Sequence, residues 1–86
     1  MKLRFTKGFA VSYKKLAKND KKLKGLINKQ FKLLLDNPKH PSLRLHKIAS
    51  SGFWSISINE SLRALVIFAE DTITVFNIGK HEDVYK

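Results

Sequence analysis

The apolar positions change their period once along the chain, and the change divides it into a helical half and a strand half. In residues 2–5, Leu3 and Phe5 alternate with Lys2 and Arg4, which predicts a short strand. Thr6 follows, with a hydroxyl suited to a helix N-cap. Beyond it Phe9, Tyr13, Leu16 and Ala17 recur at helical spacing and predict a helix over residues 7–18. Asn19 or Asp20 caps a second helix, whose stripe is Leu23, Leu26, Ile27, Gln30/Phe31 and Leu34. It ends near Asp36, because Asn37-Pro38 follows and the residue before a proline disfavours helical backbone. The connection is short, so the two helices form an antiparallel hairpin.

After Pro41 the period falls to two. Leu43, Leu45 and Lys47 alternate with Arg44, His46 and Ile48, which predicts a strand over residues 43–48. Ser50-Ser51-Gly52 is a turn. In residues 53–58, Trp54, Ile56 and Ile58 share one face of a strand, and Phe53, Ser55 and Ser57 share the other. Asn59-Glu60-Ser61 turns the chain again. Residues 62–68 set Leu62, Ala64, Val66 and Phe68 against Arg63, Leu65 and Ile67, and apolar residues on both faces mark a central strand. Glu70-Asp71 makes a tight turn into a last strand over residues 72–78. The predicted order is β-α-α-β-β-β-β, a single α+β domain over residues 1–86. It consists of an N-terminal strand, an antiparallel helical hairpin and a four-stranded antiparallel meander, with the helices on one sheet face. The other face is left open, and Ser55, Ser57 and Arg63 lie on it.

Composition narrows the function classes. With 86 residues the chain holds one core and not two. It has no cysteine, which excludes a disulfide framework and a thiolate metal site. His40, His46 and His81 have no metal-ligand spacing, so neither a metal nor another cofactor is expected. No apolar run approaches the roughly 20 residues of a membrane span, and the N-terminus is too short and too alternating for a signal peptide, so the expected compartment is the cytoplasm. The net charge is +10 and unevenly spread. Residues 1–47 carry 14 Lys/Arg against Asp20 and Asp36, or +12, whereas residues 48–86 carry three against five acidic residues, or −2. Such a field attracts polyanions and speeds their encounter.

Arg63 is the sharpest single residue. Between Leu62 and Ala64-Leu65-Val66, its guanidinium must either find a partner or face a ligand, and its planar fork suits a phosphate. The alternatives are an ion pair with Glu60, Glu82 or Asp83, or an outward reach to solvent. His81 can give or accept a proton near neutral pH. If the tail turns helically, Tyr85 lies one turn beyond it on the same face, where it can orient a phosphate or stack on a base. Arg44, His46, Lys47 and Lys80 are candidate contacts to a nucleic-acid backbone. Trp54 shares a strand face with Ile56 and Ile58, a core position, and is also the aromatic that can stack on a base.

Taken together these residues resemble the RelE/ParE toxin superfamily, over the whole chain in its β-α-α-β-β-β-β order. The likeness is densest in Phe53-Trp54-Ser55, Ile58, Glu60 and Arg63, which is similar to the corresponding segment of YoeB-type members. Residues 41–48, Pro-Ser-Leu-Arg-Leu-His-Lys-Ile, resemble the segment before it, and residues 78–85 resemble the ending of RelE-like members. The resemblance implies the toxin of a type II toxin–antitoxin system, a ribosome-dependent mRNA endonuclease that needs no metal. In that reaction the RNA 2′-hydroxyl attacks the adjacent phosphate and the 5′-oxygen leaves. Arg63 would then stabilise the phosphate, His81 would be the general acid or base, and Tyr85 would orient phosphate or base. Arg44, Lys47, Lys80 and Trp54 would hold RNA, ribosomal RNA included. The implied partners are a cognate antitoxin and mRNA on the ribosome, with operator DNA reached only through the antitoxin. The chain departs from the family pattern in carrying Ser55 and Ser57 where RelE has two lysines, and in lacking the upstream catalytic Glu of YoeB. Two other functions fit the same family: a non-enzymatic, ParE-like inhibitor of gyrase, and a catalytically degenerate homologue that binds only antitoxin or nucleic acid.

Overall fold

A computed structural model describes residues 1–48 and 50–84, the side chains of Glu82 and Asp83 excepted. The chain opens with β1 (Lys2–Phe5), then α1 (Lys7–Ala17) and α2 (Lys21–Asp36). A 3-10 turn at Pro41–Leu43 leads to β2 (His46–Lys47), β3 (Trp54–Ser57), β4 (Leu62–Ala69) and β5 (Thr72–Lys80), and α3 (His81–Val84) follows.

The helix boundaries have local causes. The Thr6 hydroxyl accepts a hydrogen bond from the Phe9 N–H at 3.1 Å, and an Asp20 carboxylate oxygen accepts one from the Leu23 N–H at 2.9 Å. Both satisfy orphan donors of a first helical turn. Asn19 adopts left-handed backbone with φ 59° between the helices, a conformation that asparagine tolerates better than most residues.

The sheet order is β1-β5-β4-β3-β2. β2 to β5 form the expected antiparallel meander. The N-terminal strand adds to its far edge, parallel to β5, so the five-stranded sheet is mixed. Parallel pairing needs a crossover connection, and here the stretch between β1 and β5 holds both helices and the rest of the meander. Register separates the faces. Trp54 and Ile56 pair with Val66 and Ala64, while Ser55 and Ser57 pair with Leu65 and Arg63. The first set belongs to or packs on the core, together with Phe9, Ile27, Phe31 and Leu34 from the helices and Ile73, Val75 and Ile78 from β5. Rings of Phe5, Phe9, Tyr13 and Phe31 stack between β1 and the helices, with centroids 5.0 to 5.7 Å apart.

Three details differ from the sequence reading. The strand expected over 43–48 is reduced to two residues. Pro41 starts the 3-10 turn, Leu43 is fully buried at its end, and Arg44 takes left-handed backbone (φ 45°), so extended pairing begins only at His46. The last strand continues through Gly79 and Lys80, which pair with Arg63 and Leu62, before the tail turns helically at His81. Finally, the β4–β5 register slips between Leu65 and Val66. Leu65 faces Asn77 and Val66 faces Val75, so Phe76 is the extra residue of a β-bulge.

Candidate active site

Alternation along β4 puts Arg63 on the open face, opposite the helices, flanked by Ser57 on β3 and Gly79 on β5. It is half-buried, and its guanidinium is held at several points. Nε donates to Ser55 Oγ at 2.6 Å, and Nη2 donates to the Arg44 carbonyl at 3.1 Å. His46 Nδ1 lies 3.4 Å from Nη2 and 3.3 Å from that same carbonyl. Two anchors on a planar fork fix its plane. Both of these anchors are neutral oxygens.

The 3-10 turn explains why the Arg44 carbonyl is available. The Arg44 N–H closes the turn onto the Pro41 carbonyl at 3.2 Å, and the left-handed φ of Arg44 re-aims the chain into β2. The ring of His40 braces the same turn, with Nδ1 accepting from the Ser42 N–H at 3.2 Å. Across the sheet, Gln30 of α2 is 5% exposed and donates from Nε2 to the Ser57 carbonyl at 2.9 Å and to the Ser42 carbonyl at 3.4 Å. That one amide ties the helical layer both to the strand that carries Ser55 and to the turn that precedes Arg44.

The predicted site residues separate into groups. Arg63 and Arg44 meet, through the Arg44 backbone and not its side chain. His81 starts α3 immediately after β5, and its N–H donates to the Ser61 carbonyl at 3.2 Å, so its backbone lies two residues past the Gly79 that faces Arg63. Its side chain is exposed. Lys47 pairs with Trp54 on the edge strand, out of phase with His46, and is exposed. Trp54 packs T-shaped on Phe68, with centroids 6.0 Å apart and planes at 85°, on the sheet face away from Arg63. Its indole also lines a cleft with Lys39, His40, Pro41, Arg44 and Leu45. Lys80 pairs with Leu62 at the end of β5 and is exposed. Tyr85 lies outside the described residues. Among the described residues, no three His, Cys, Asp or Glu side chains gather as a metal site.

The sequence reading passed over two members of the node. Ser55 is expected on the open face as a small polar residue lining a cleft, and as a place where family charge is missing; in the structure it is fully buried and holds Arg63 Nε. His46 ranked as one of several backbone contacts, yet it sits against Arg63. The available signal was the strand alternation that already put Ser55 on Arg63's face; the contribution of His46 depends on a left-handed turn that no periodicity reports.

The lysines of the first half are borne mainly by the helices, Lys7, Lys14 and Lys15 on α1 and Lys21, Lys22, Lys24, Lys29 and Lys32 on α2. Eight of the chain's 17 Lys and Arg residues are therefore on the helical layer, across the sheet from Arg63. Between the helices, Val11, Tyr13 and Ala17 line a groove with Lys14, Lys15, Lys18 and Lys24.

No family model matches the sequence, and no curated protein matches it. Solved structures do match. A metal-bound toxin from Helicobacter pylori superposes with a TM-score of 0.81 at 22% identity, over 98% of each chain. The Escherichia coli DinJ–YafQ toxin–antitoxin complex contains a chain that superposes with a TM-score of 0.80 at 14% identity, over 98% of this chain and 96% of that one. The YoeB dimer from Staphylococcus aureus gives 0.78 at 24% identity, over 94% and 97%. Agreement over almost the whole of each chain covers the N-terminal strand, the helical hairpin and the meander alike. The chain has the fold of the RelE/YoeB-type toxins.

Proposed function

We propose that the protein is the toxin of a type II toxin–antitoxin pair and that it cleaves mRNA on the ribosome. The observation that carries this reading is the guanidinium of Arg63, fixed on an open sheet face by Ser55 and the Arg44 carbonyl. In the proposed reaction the RNA 2′-oxygen bonds to the adjacent phosphorus, the bond from phosphorus to the 5′-oxygen breaks, and a cyclic phosphate and a 5′-hydroxyl result. Negative charge builds on the non-bridging oxygens, where a preorientated guanidinium is most effective. One proton leaves the 2′-hydroxyl and one is delivered to the 5′-oxygen, and His81 exchanges one of them. Tyr85 orients the phosphate or the flanking base. Arg44, Lys47 and Lys80 hold the RNA backbone, and Trp54 offers a contact in the cleft beside Arg44.

The partner in this reading is an antitoxin with an acidic, amphipathic segment. The groove between α1 and α2 suits it, with apolar Val11, Tyr13 and Ala17 beside Lys14, Lys15, Lys18 and Lys24. Operator DNA is reached through the antitoxin, and the site of action is the cytoplasm.

The test is induction in a bacterial host with mRNA 5′ ends mapped by primer extension, for the wild type, Arg63→Ala and His81→Ala. Growth arrest with new ends inside translated codons, lost in both variants, is the expected result. Arrest with intact mRNA would overturn the nuclease reading and point to a target such as gyrase. No arrest at all would leave a binding homologue.

A further inference from the structure

The open sheet face carries a second feature that the reaction above does not use. The rings of Phe53 and Phe76 meet there, with centroids 4.7 Å apart and planes at 57°. Neither is buried: Phe53 is 37% exposed, and Phe76 is partly exposed. Displaying phenylalanine to water is unfavourable, since full burial of one such side chain contributes about 1.5–3 kcal/mol. Phe76 is displayed by strand alternation, two residues beyond Thr74 on the same face, where it reaches Phe53. The bulge at Phe76 turns Asn77 onto the open face and returns Ile78 to the core. Bulges commonly re-aim side chains beside functional sites.

The position of the pair relative to Arg63 is what gives it meaning. Phe53 lies two residues from Ser55, the anchor of Arg63 Nε. At about 3.4 Å per strand residue that is roughly 7 Å, or about two stacked nucleotide steps. Arg4 pairs with Thr74, on the same β5 segment as Phe76, and adds an exposed cation to that side of the face.

We propose that Phe53 and Phe76 form the platform on which a nucleobase of the RNA substrate stacks, one or two nucleotides from the phosphate held by Arg63. The inference rests on the reading of RNA as substrate and deepens it. Every base has a π face, so such a platform adds affinity with little sequence preference. It also supplies, on Arg63's own face, the aromatic contact that Trp54 cannot supply from the other side of the sheet. A nucleic acid is favoured over an apolar protein segment because the rings share their sheet face with two arginines, Arg4 and Arg63.

The experiment compares binding of a fluorescein-labelled hexa-adenylate RNA with binding of the same backbone carrying abasic sites throughout. The proteins are the full-length wild type, Phe53→Ala, Phe76→Ala, Phe53→Trp and Arg63→Ala. The alanine variants are expected to weaken adenylate binding roughly tenfold, to change abasic binding less than twofold, and to be rescued by Phe53→Trp. Arg63→Ala is expected to weaken both probes. Equal loss on both probes in Phe53→Ala, or no loss on either, overturns the platform. So does unchanged RNA binding combined with loss of neutralisation by the antitoxin, which would assign the rings to a protein partner. In each of those cases wild-type cleavage that depends on Arg63 leaves the nuclease reading standing. Wild-type protein that neither binds nor cuts RNA overturns both.

Discussion

Ile56 and Ser55 are neighbours in β3, and both are fully buried, yet they belong to different surfaces. Ile56 faces the helices, with Ala64, Val66 and Ile78 around it in an apolar cluster. Ser55 faces the other way, and its hydroxyl holds the guanidinium of Arg63. The closed face is an apolar jigsaw, in which Gln30 is a buried polar exception with its amide bonded to two carbonyls. The open face presents Arg63, Ser57, Asn77 and the Phe53–Phe76 pair. One set of strands thus keeps the apolar core on one side and the proposed chemistry on the other. Mutations on the two faces are therefore expected to separate cleanly into those that unfold the protein and those that silence it.

The largest expected effect on the closed side comes from Leu34→Ala. Leu34 is fully buried, and such a truncation costs about 2–5 kcal/mol. For a domain of this size that lowers Tm by at least about 8 °C, at ~4–8 °C per kcal/mol, read by circular dichroism. On the open side the largest effect is Arg63→Ala, expected to reduce cleavage by about a hundredfold or more while Tm stays near the wild type. Arg63→Lys is expected to rescue little, because an ammonium cannot span Ser55 and the Arg44 carbonyl at once. A Tm loss in Arg63→Ala as large as that in Leu34→Ala would break the division between the faces.

Gln30 sits where the two sides are joined, and Gln30→Ala sharpens the comparison. It leaves the Ser57 and Ser42 carbonyls without their amide donor, a cost of about 1–3 kcal/mol. Both stability and cleavage should fall, because the turn before Arg44 loosens with it. The smallest effect is expected from Ser55→Ala, which removes one anchor of Arg63. Cleavage should drop about tenfold, the equivalent of ~1.4 kcal/mol, with a shift in kcat rather than in RNA affinity.

Much of this division is legible in the sequence. The alternation of Trp54, Ile56 and Ile58 with Ser55 and Ser57, and of Ala64 and Val66 with Arg63, reports the two faces directly, because the strand period is two. Both helices begin at their predicted caps, since Thr6 and Asp20 act through local hydrogen bonds. What escaped depends on non-local or irregular geometry. The parallel pairing of β1 with β5 joins residues about 70 positions apart. The bulge at Phe76 and the left-handed turn at Arg44 break the period on which the reading relied: the first returns Ile78 to the core, and the second positions the Arg63 anchor. Tyr85 lies beyond the described residues, so its expected role stands as a proposal.

The most direct test of the account is a purified translation reaction programmed with a defined mRNA, run with wild-type protein and Arg63→Ala whose Tm values have been shown to agree. The account predicts cuts within translated codons by the wild type and at least a hundredfold fewer by the variant. Equal cutting by the two, or no cutting by a folded wild type on translating ribosomes, would contradict it.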